Sequence, residues 1–419
     1  MNSIPSQIER ATRRSLLLVG LLPLAVQASF VDDSSGRLDL RNFYQLRDFR
    51  QHDARQSQAG DWSQAFVLRL QSGFTEGTVG FGLDATGLLG VKLDSGAGRS
   101  GDGTLPFGPQ SHEPVDNFSH AGLTAKVRYA KSQLNIGLLE PQLPVVFRDD
   151  TRLLPQTFQG ALLTSSDVDK LTLTVGQLWQ NRPRDSSAAD NMYIMGRSSE
   201  FNSNQFNIAG AGYALTQNLS ASYFYGQLKD IYHQQYAGLL HDLPLRDGLS
   251  LRSDLRYFDS NDDGQARSGA VDNRNLSMMF TLRGGAHSVS VAYQKMMGDN
   301  GFPTLNGYTP PYSPNLMTVQ TFTLPGEKSW QLRYDYDFAS LGLPGLTFMT
   351  RYARGDDIEL GASLQDGHEY ERDSDLAYTL QSESLKGLSL RWRNASVRTS
   401  YGPDIDENRL IANYSIPLW

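Results

Sequence analysis

The sequence predicts an all-β fold, a single transmembrane antiparallel β-barrel of about 18 strands. Three observations favour it. Apolar and polar side chains alternate in segments of about ten residues along most of the chain, as in strands with one face toward lipid and one toward water. Tyr and Phe recur near the ends of the apolar faces, where such barrels carry aromatic girdles. Short turns, such as the one at Gly284-Gly285, also alternate with long loops rich in Gly, Asp, Asn and Pro, such as residues 299–326.

Composition excludes a helical membrane protein. The 419 residues include 39 Gly and no Cys, and the mean hydropathy is −0.41. A helical span needs roughly 20 consecutive apolar residues, whereas the one long apolar stretch lies at residues 15–28. Without Cys there is no disulfide framework, so a large hydrogen-bonded fold must supply the stability.

The start of the chain resembles a secretory signal peptide. Three arginines precede an apolar run over residues 16–26, and a small-residue cleavage site ends at Ala28. We therefore predict that residues 1–28 are a signal peptide and that residues 29–419 form the barrel domain. The Arg13-Arg14 pair also occurs in twin-arginine signals. A barrel must cross the inner membrane unfolded, however, which favours the ordinary secretory route.

The net negative charge of the chain restricts the partners it can bind. Removal of residues 1–28 would take away three arginines and one glutamate and would change the net charge from −7 to −9. An acidic surface disfavours nucleic acid as a partner, because the phosphate backbone is itself negative. The expected surroundings are instead membrane lipid and small solutes.

Residues 331–338 show the alternation most clearly. Their apolar row suits lipid and their polar row suits water: Leu332, Tyr334, Tyr336 and Phe338 oppose Gln331, Arg333, Asp335 and Asp337. A β-sandwich would alternate likewise, with its apolar rows buried against each other. The last strand favours the barrel, because it ends on Trp419 like the aromatic C-terminal signal of outer-membrane barrels, although Pro417 removes one ladder donor.

Nineteen segments qualify as strands, from a first one near Leu38 to a last one near Arg409, and the third from last starts near Leu376. A single-chain bacterial barrel takes an even number of strands. We therefore expect that one weak segment, near Tyr193 or Ile231, is not an independent strand. A barrel of about 16 to 18 strands would enclose a water-filled lumen unless loops fill it.

Residues 137–160 have the sequence GLLEPQLPVVFRDDTRLLPQTFQG, which resembles the porin D (OprD-type) family of outer-membrane channels. Four further segments carry the resemblance, in the family's order, over almost the whole mature chain: LRNFYQLRDFR near its start, PGLTFMTRYARGDD at 344–357, LKGLSLRWRNASVR, and the final DENRLIANYSIPLW.

The resemblance implies an 18-stranded barrel in a bacterial outer membrane, with inward-folded loops that narrow the lumen. It implies assembly with further copies of the chain, as in a homotrimer. It also implies a passive, selective porin for small solutes that carry a carboxylate, either basic amino acids or cyclic and aromatic carboxylates. No motif assigns the chain to one of these two substrate groups.

A carboxylate in a narrow lumen needs donors in place of its water, and the planar guanidinium of arginine suits it best. By the resemblance, Arg391, Arg393 and Arg41 belong to the family's basic ladder, and barrel closure should bring the first strand beside the last ones. For each inward arginine, the alternative is a salt bridge that only stiffens the wall. Strand parity turns seven arginines inward: Arg391, Arg393, Arg41, Arg128, Arg69, Arg351 and Arg333.

The loop at residues 140–158 contains three prolines and an Asp-Asp pair, and a loop of this length in a compact fold is commonly functional. We expect it to fold inward, with Arg152 and Asp149 presenting opposite charges at the constriction. The alternative is that both residues only tie the loop to the wall. The ammonium group of an amino acid would also need an acceptor, for which Asp149, Asp254 and Asp335 are candidates.

The sequence shows no pattern typical of a metal or cofactor site. Its seven His are scattered without Cys partners, and it has neither a phosphate loop nor a nucleophile elbow. We therefore expect no cofactor and no enzyme activity, since no spacing supports a Ser/His site on the barrel. Two other barrel functions stay open: a general diffusion porin, and a receptor or adhesin that binds partners through its loops.

Overall fold

The structure, a computed structural model, describes residues 30–51, 54, 56–361 and 365–419. The predicted signal peptide lies outside the described residues, so its assignment stays a prediction. Two single-turn 3₁₀ helices occur in connections, at Phe338–Leu341 and Glu383–Leu385. Within the described part of the chain, helices are all too short or too polar to cross a membrane.

Strands dominate the described residues and are numbered here in chain order. Their bounds are β1 (Ser35–Phe49), β2 (Gln58–Gln71), β3 (Val79–Asp94), β4 (Asn117–Tyr129), β5 (Ser132–Leu139), β6 (Gln142–Leu143), β7 (Val146–Phe147), β8 (Thr157–Ser165), β9 (Leu171–Arg182), β10 (Phe206–Ala214), β11 (Leu219–Leu228), β12 (Tyr232–Arg246), β13 (Leu249–Asp262), β14 (Asp272–Gly284), β15 (His287–Met297), β16 (Lys328–Asp337), β17 (Leu346–Ile358), β18 (Gly367–Thr379), β19 (Ser389–Thr399) and β20 (Ile405–Pro417).

Eighteen of these strands form one antiparallel sheet that closes on itself. Neighbours in the chain pair with each other, and β1 pairs with β20 along nearly its whole length. The short strands β6 and β7 pair only with each other, inside the loop that precedes β8. The prediction of a closed barrel of about 18 strands is therefore confirmed, and closure leaves the 18 strands without a free edge.

Nearly all predicted segments coincide with an observed strand. Tyr193 lies in the loop between β9 and β10, so it marks the weak segment, whereas the segment near Ile231 is a genuine strand, β12. The start of β18 was misplaced: it begins at Gly367, well before the predicted start near Leu376. In its first half both faces of the strand are largely polar, so the strand lacks the apolar row that marks the other strands.

The two faces of the strands differ as the alternation predicts. On β16, Trp330 and Leu332 point outward and are 44% and 50% exposed, whereas Gln331 points inward and is 2% exposed. Leu390 and Trp392 of β19 are likewise exposed on the outer face. Because the apolar rows face outward around the barrel and not toward each other, the β-sandwich alternative is excluded.

The two ends of the barrel differ in their connections. At the end where β1 begins and β20 ends, which we call the terminus end, tight turns include residues 130–131, 247–248 and 285–286. The opposite end, the loop end, carries the long connections 95–116, 140–156, 183–205 and 298–327. The predicted contrast between a tight turn at Gly284-Gly285 and a long loop over residues 299–326 is confirmed.

The long loops fold into the barrel. Val146, Ile194 and Leu305 from three of them are buried together with the inward Phe206 and Phe258 of the wall. A second buried cluster joins loop residues such as Leu105 and Leu153 to the inner faces of β1 to β4. Each fully buried apolar side chain of this size contributes roughly 1.5–3 kcal/mol. The loops therefore narrow the lumen, and polar recesses remain on the wall nearer the terminus end.

Candidate functional site

Two of the predicted ladder arginines form a pair on the inner wall. Arg391 and Arg393 lie on the same face of β19 and share the carboxylate of Asp375 on β18, at Nε–O distances of 3.1 and 2.7 Å. Their side chains are 44% and 22% exposed, against 7% for Asp375. The carboxylate thus lies behind the guanidinium groups, and the pair presents two positive charges against one negative charge.

This pair lines a recess of about 530 Å³ near the terminus end. Arg351 on β17 and Arg333 on β16 lie on the same recess, and strand pairing sets these two directly opposite each other. Four predicted ladder residues are thereby brought together. They face three acidic residues in the same recess: Asp335, Asp337 and Asp375.

The two additional arginines of this recess differ in their contacts. Arg351 is bonded to Asp373 (Nε–O 2.9 Å) and to the carbonyl of Leu316 in the inward loop (3.0 Å), and only 12% of its side chain is exposed. Arg333 pairs with Asp335 at 2.6 Å and is 34% exposed. The alternative of an arginine that stiffens the wall therefore has its strongest support at Arg351.

A second recess, of about 270 Å³, lies on the wall formed by β1, β2 and β20. It contains the predicted Arg41 and Arg69 and two arginines that sequence reasoning did not single out, Arg37 and Arg148. Four arginines here face two acidic residues, Asp39 and Asp150. The two recesses together carry eight arginines and five acidic residues.

Arg41 connects the wall to the inward loop. Its Nη1 donates to Asp150 (2.8 Å) and to the carbonyl of Arg152 (2.6 Å), and its Nε donates to Asn413 of β20 (3.0 Å). Burial alone would raise the pKa of Asp150, but the guanidinium groups of Arg41 and Arg148 outweigh it and lower that pKa. A single strand, β20, separates Arg41 from Arg391, so barrel closure brings them near as expected.

Arg69 and Arg128 have different surroundings. Arg69 pairs with Glu140 at the start of the inward loop and lies 3.5 Å from Asp39. Arg128 lies near the terminus end with its guanidinium carbon 4.2 Å from the ring centroid of Phe74, a cation–π contact. Arg128 lines neither recess. The structure therefore groups Arg69 with the other predicted residues and sets Arg128 apart from them.

The predicted constriction loop does fold inward, and both of its singled-out residues are buried. Asp149 accepts hydrogen bonds from the backbone of Thr151 (2.7 Å) and from Arg184 (2.8 Å) of the loop 183–205. Asp149 therefore ties two loops together and does not tie its loop to the wall. Arg152 is 5% exposed. Burial, together with the nearby guanidinium groups of Arg409 and Arg184, holds the pKa of Arg152 well below its ordinary value.

Arg409 on β20 is a residue that sequence reasoning missed. Its Nε donates to Glu407 (2.5 Å), and its Nη groups donate to the carbonyls of Thr318 (3.0 Å) and Thr151 (3.3 Å), which belong to two different inward loops. The parity that puts Leu410 on the lipid face also turns Arg409 inward, so its direction was available from the sequence. The meeting of the two loops on it was not.

The remaining acidic candidates are held by neighbouring arginines. Asp254 on β13 pairs with Arg256 at 2.5 Å, and Asp335 pairs with Arg333. As acceptors for an ammonium group they are therefore partly neutralised already.

Comparison with known proteins also identifies an outer-membrane porin barrel. The model of the family described as outer membrane porin, OprD family, matches residues 28–418. The solved structure of OpdL from Pseudomonas aeruginosa is 63% identical, with a TM-score of 0.85, and covers 93% of this chain and 100% of that one. The porin-like protein GalP of Pseudomonas putida is 40% identical over 405 residues, 96% of each chain. The structure of Pseudomonas aeruginosa OpdK with vanillate is 37% identical, with a TM-score of 0.86, and covers 93% and 100%.

These relatives are channels and not enzymes, and they match over nearly the whole chain. Their family is integral to the bacterial outer membrane, where the apolar outer face of the closed barrel meets lipid. With 18 strands, an apolar outer face and a polar, loop-narrowed lumen, the chain belongs to the OprD family of outer membrane porins.

Proposed function

We propose that this porin passes small solutes that carry a carboxylate, guided by the arginines of the two recesses. One observation carries the proposal: eight arginines outnumber five acidic residues there, and the shared acidic partner of Arg391 and Arg393 is more buried than either arginine. The lining of the two recesses therefore carries more positive than negative groups, although Arg351 and Arg69 also pair with Asp373 and Glu140 outside that lining. The relative OpdK was solved with vanillate, an aromatic carboxylate, which supports this solute class.

The proposed path uses the recesses as successive sites. A carboxylate that sheds water recovers part of that cost from guanidinium donors, each close contact being worth about 4 kcal/mol at an effective dielectric constant near 20 before desolvation is subtracted. Several weak sites in a row allow passage, whereas one tight site would stall release. A general diffusion porin would share the barrel but would not need this excess of arginine.

The residues have different roles in the proposal. Arg391 and Arg393 are the principal contacts, because their guanidinium groups are the most favourably placed in the larger recess. Arg41 and Arg69 contact the solute in the smaller recess, and Arg333 contacts it in the larger one. Arg351, Arg152 and Asp149 hold the inward loops in place. Arg128 contacts solutes at the terminus end of the lumen.

The experiment compares matched solutes and matched variants in liposome swelling. Benzoate and benzamide, and arginine and agmatine, differ in the presence of the carboxylate. We expect Arg391→Gln with Arg393→Gln to slow benzoate entry roughly tenfold, which corresponds to about 1.4 kcal/mol, and to leave benzamide entry nearly unchanged. The control is Arg354→Gln, because Arg354 lies on the outer face of nearby β17 and pairs with Asp356.

Equal slowing of benzoate and benzamide would indicate a loss of pore size and not of carboxylate recognition. Unchanged entry of both solutes at normal barrel assembly would refute the role of the pair. The same solute panel decides between basic amino acids and aromatic carboxylates.

A further inference from the structure

A group of buried polar side chains at the loop end lacks hydrogen-bond partners. Gln45 of β1, Asp61 of β2, and Asp102 and Thr104 of the loop 95–116 are each at most 3% exposed. Within the described part of the chain, six of their side-chain atoms have no partner: both amide atoms of Gln45, both carboxylate oxygens of Asp61, Oδ2 of Asp102 and Oγ1 of Thr104. Native proteins rarely leave so many buried polar atoms unpaired in one place.

The four side chains are neighbours. Gln45 and Asp61 are directly opposite in the pairing of β1 with β2, and both point inward, which sets their Cβ atoms about 4.5–5.5 Å apart. The Asp61 carboxylate lies close to that of Asp102, and the side chain of Ser95 and the backbone N–H of Leu105 are also near it. Thr104 donates its backbone N–H to the other oxygen of Asp102 at 2.8 Å.

The charge of this group is also poorly compensated. Arg47 lies near Asp102 but binds Glu407 at 2.7 Å, and Arg184 binds Asp149 at 2.8 Å. Among the described residues, neither Asp61 nor Asp102 forms an ion pair. Two carboxylates therefore face each other in a buried place without a cation of their own, an arrangement that is very costly unless something neutralises it.

We propose that Gln45, Asp61, Asp102 and Thr104 form a calcium-binding site. All the available ligand atoms are oxygens, which hard divalent cations prefer, and two carboxylates balance a charge of +2. Five oxygens are free to coordinate: two of Asp61, and one each of Asp102, Gln45 and Thr104. Calcium takes about 6–8 oxygen ligands in flexible geometry, whereas magnesium demands a near-ideal octahedron and retains its water.

The site differs from an ordinary acidic metal cluster, because it contains only two acidic residues. The described residues contain no group of three or more His, Cys, Asp or Glu side chains placed to hold a metal. Here two carboxylates are completed by an amide and a hydroxyl. The bound ion would fasten the loop 95–116 to β1 and β2 and so hold its buried residues 102–105 inside the barrel.

The test uses the full chain folded in detergent micelles and depleted of divalent ions with EGTA. Titration calorimetry with calcium chloride is expected to show one ion bound per chain, and saturating calcium to raise the unfolding temperature by several degrees. Magnesium chloride at the same concentration should raise it less. Asp61→Asn and Asp102→Asn should each abolish the calcium response.

The matched control is Asp94→Asn, which removes a carboxylate from the same end of the barrel. Asp94 pairs with Arg99 and its side chain is 58% exposed, so its loss should leave calcium binding unchanged. If the substituted barrels fail to assemble, the wild-type titration alone decides. Absence of calcium binding up to millimolar concentration would overturn the proposal, because the two carboxylates would then be neutralised by a shared proton. An equal loss in Asp94→Asn would also overturn it.

Discussion

Two neighbouring strands carry rows of charge into the same lumen and use them differently. On β19, Arg391 and Arg393 stay partly exposed beside a recess. On β18, Glu369, Glu371 and Asp373 are at most 1% exposed, because the inward loop 298–327 covers them. The backbone N–H groups of residues 319 and 320 donate to Glu371 at 2.9 and 2.7 Å, and residue 318 donates to Asp373.

The difference shows that position along the barrel, as well as charge, decides whether a wall residue holds a loop, because Arg351 and Arg409 also bind the loop 298–327, through its carbonyls. A carboxylate can accept several backbone N–H bonds at once, so the acidic row of β18 binds the turn of a loop. The arginine pair of β19 lies nearer the terminus end, beyond that loop, and its donors remain available. Asp375 belongs to both groups, because it continues the acidic row of β18 and forms ion pairs with both arginines of β19.

The largest effect is expected from breaking the acidic row. Glu371→Ala would leave the N–H groups of Val319 and Gln320 without their acceptor, at about 1–3 kcal/mol for each buried donor. We expect the loop 298–327 to loosen, so that single-channel conductance rises and fluctuates between levels in planar bilayers. Glu371→Gln is the control, because it keeps one acceptor oxygen and should lie between wild type and Glu371→Ala. A steady wild-type conductance in Glu371→Ala would show that apolar burial alone holds the loop.

A smaller effect is expected from pH, through Glu327 at the end of the same loop. Its carboxyl is fully buried and accepts a hydrogen bond from the backbone of Leu324 at 3.0 Å. Burial, and then the nearby carboxylate of Glu369, raise the pKa of Glu327 to about 9. A raised pKa in the folded state means that stability is fully present below the ordinary value of 4.5 and is lost as pH rises through about 9.

We therefore expect the unfolding temperature of the wild type to fall between pH 5 and pH 9, with a contribution from Glu327 on the order of 2 kcal/mol. Glu327→Gln carries no charge at either pH and should flatten this dependence. The measurement is thermal unfolding in micelles across that pH range. If the unfolding temperatures of both proteins depend on pH to the same extent, another group causes the dependence, and the attachment of the loop 298–327 does not rely on this carboxyl.

The contrast between the strands also shows what the sequence could and could not predict. Alternation is a local signal, so the barrel, its 19 candidate segments and the inward direction of Arg391, Arg393 and Arg41 followed from it, whereas the even strand number of such barrels reduced the count to about 18. The same signal failed at β18, because a row of acids opposite a second polar row lacks the apolar face that marks a strand. Its start was therefore placed near Leu376 and not at Gly367.

The partners of the inward residues depend on contacts between distant segments, which periodicity does not encode. The length and charges of the loop at residues 140–158 made Asp149 and Arg152 candidates for the constriction, yet both are buried, and Asp149 binds Arg184 of another loop. Arg409 and the four residues of the proposed calcium site were missed for the same reason. The signal peptide and the homotrimer stay predictions.

The smallest expected effect concerns Asp375, where the two strands meet. Asp375→Asn removes the negative charge behind Arg391 and Arg393, so the recess gains net positive charge and the reversal potential in a potassium chloride gradient should shift toward anion selectivity. The pairs are partly exposed, so each contributes only about 0.2–1 kcal/mol, and the shift should shrink as salt rises. Asp356→Asn is the matched control, because it frees Arg354 on the outer face. A shift of equal size in that control would mean that total charge, and not charge on the lumen wall, sets selectivity.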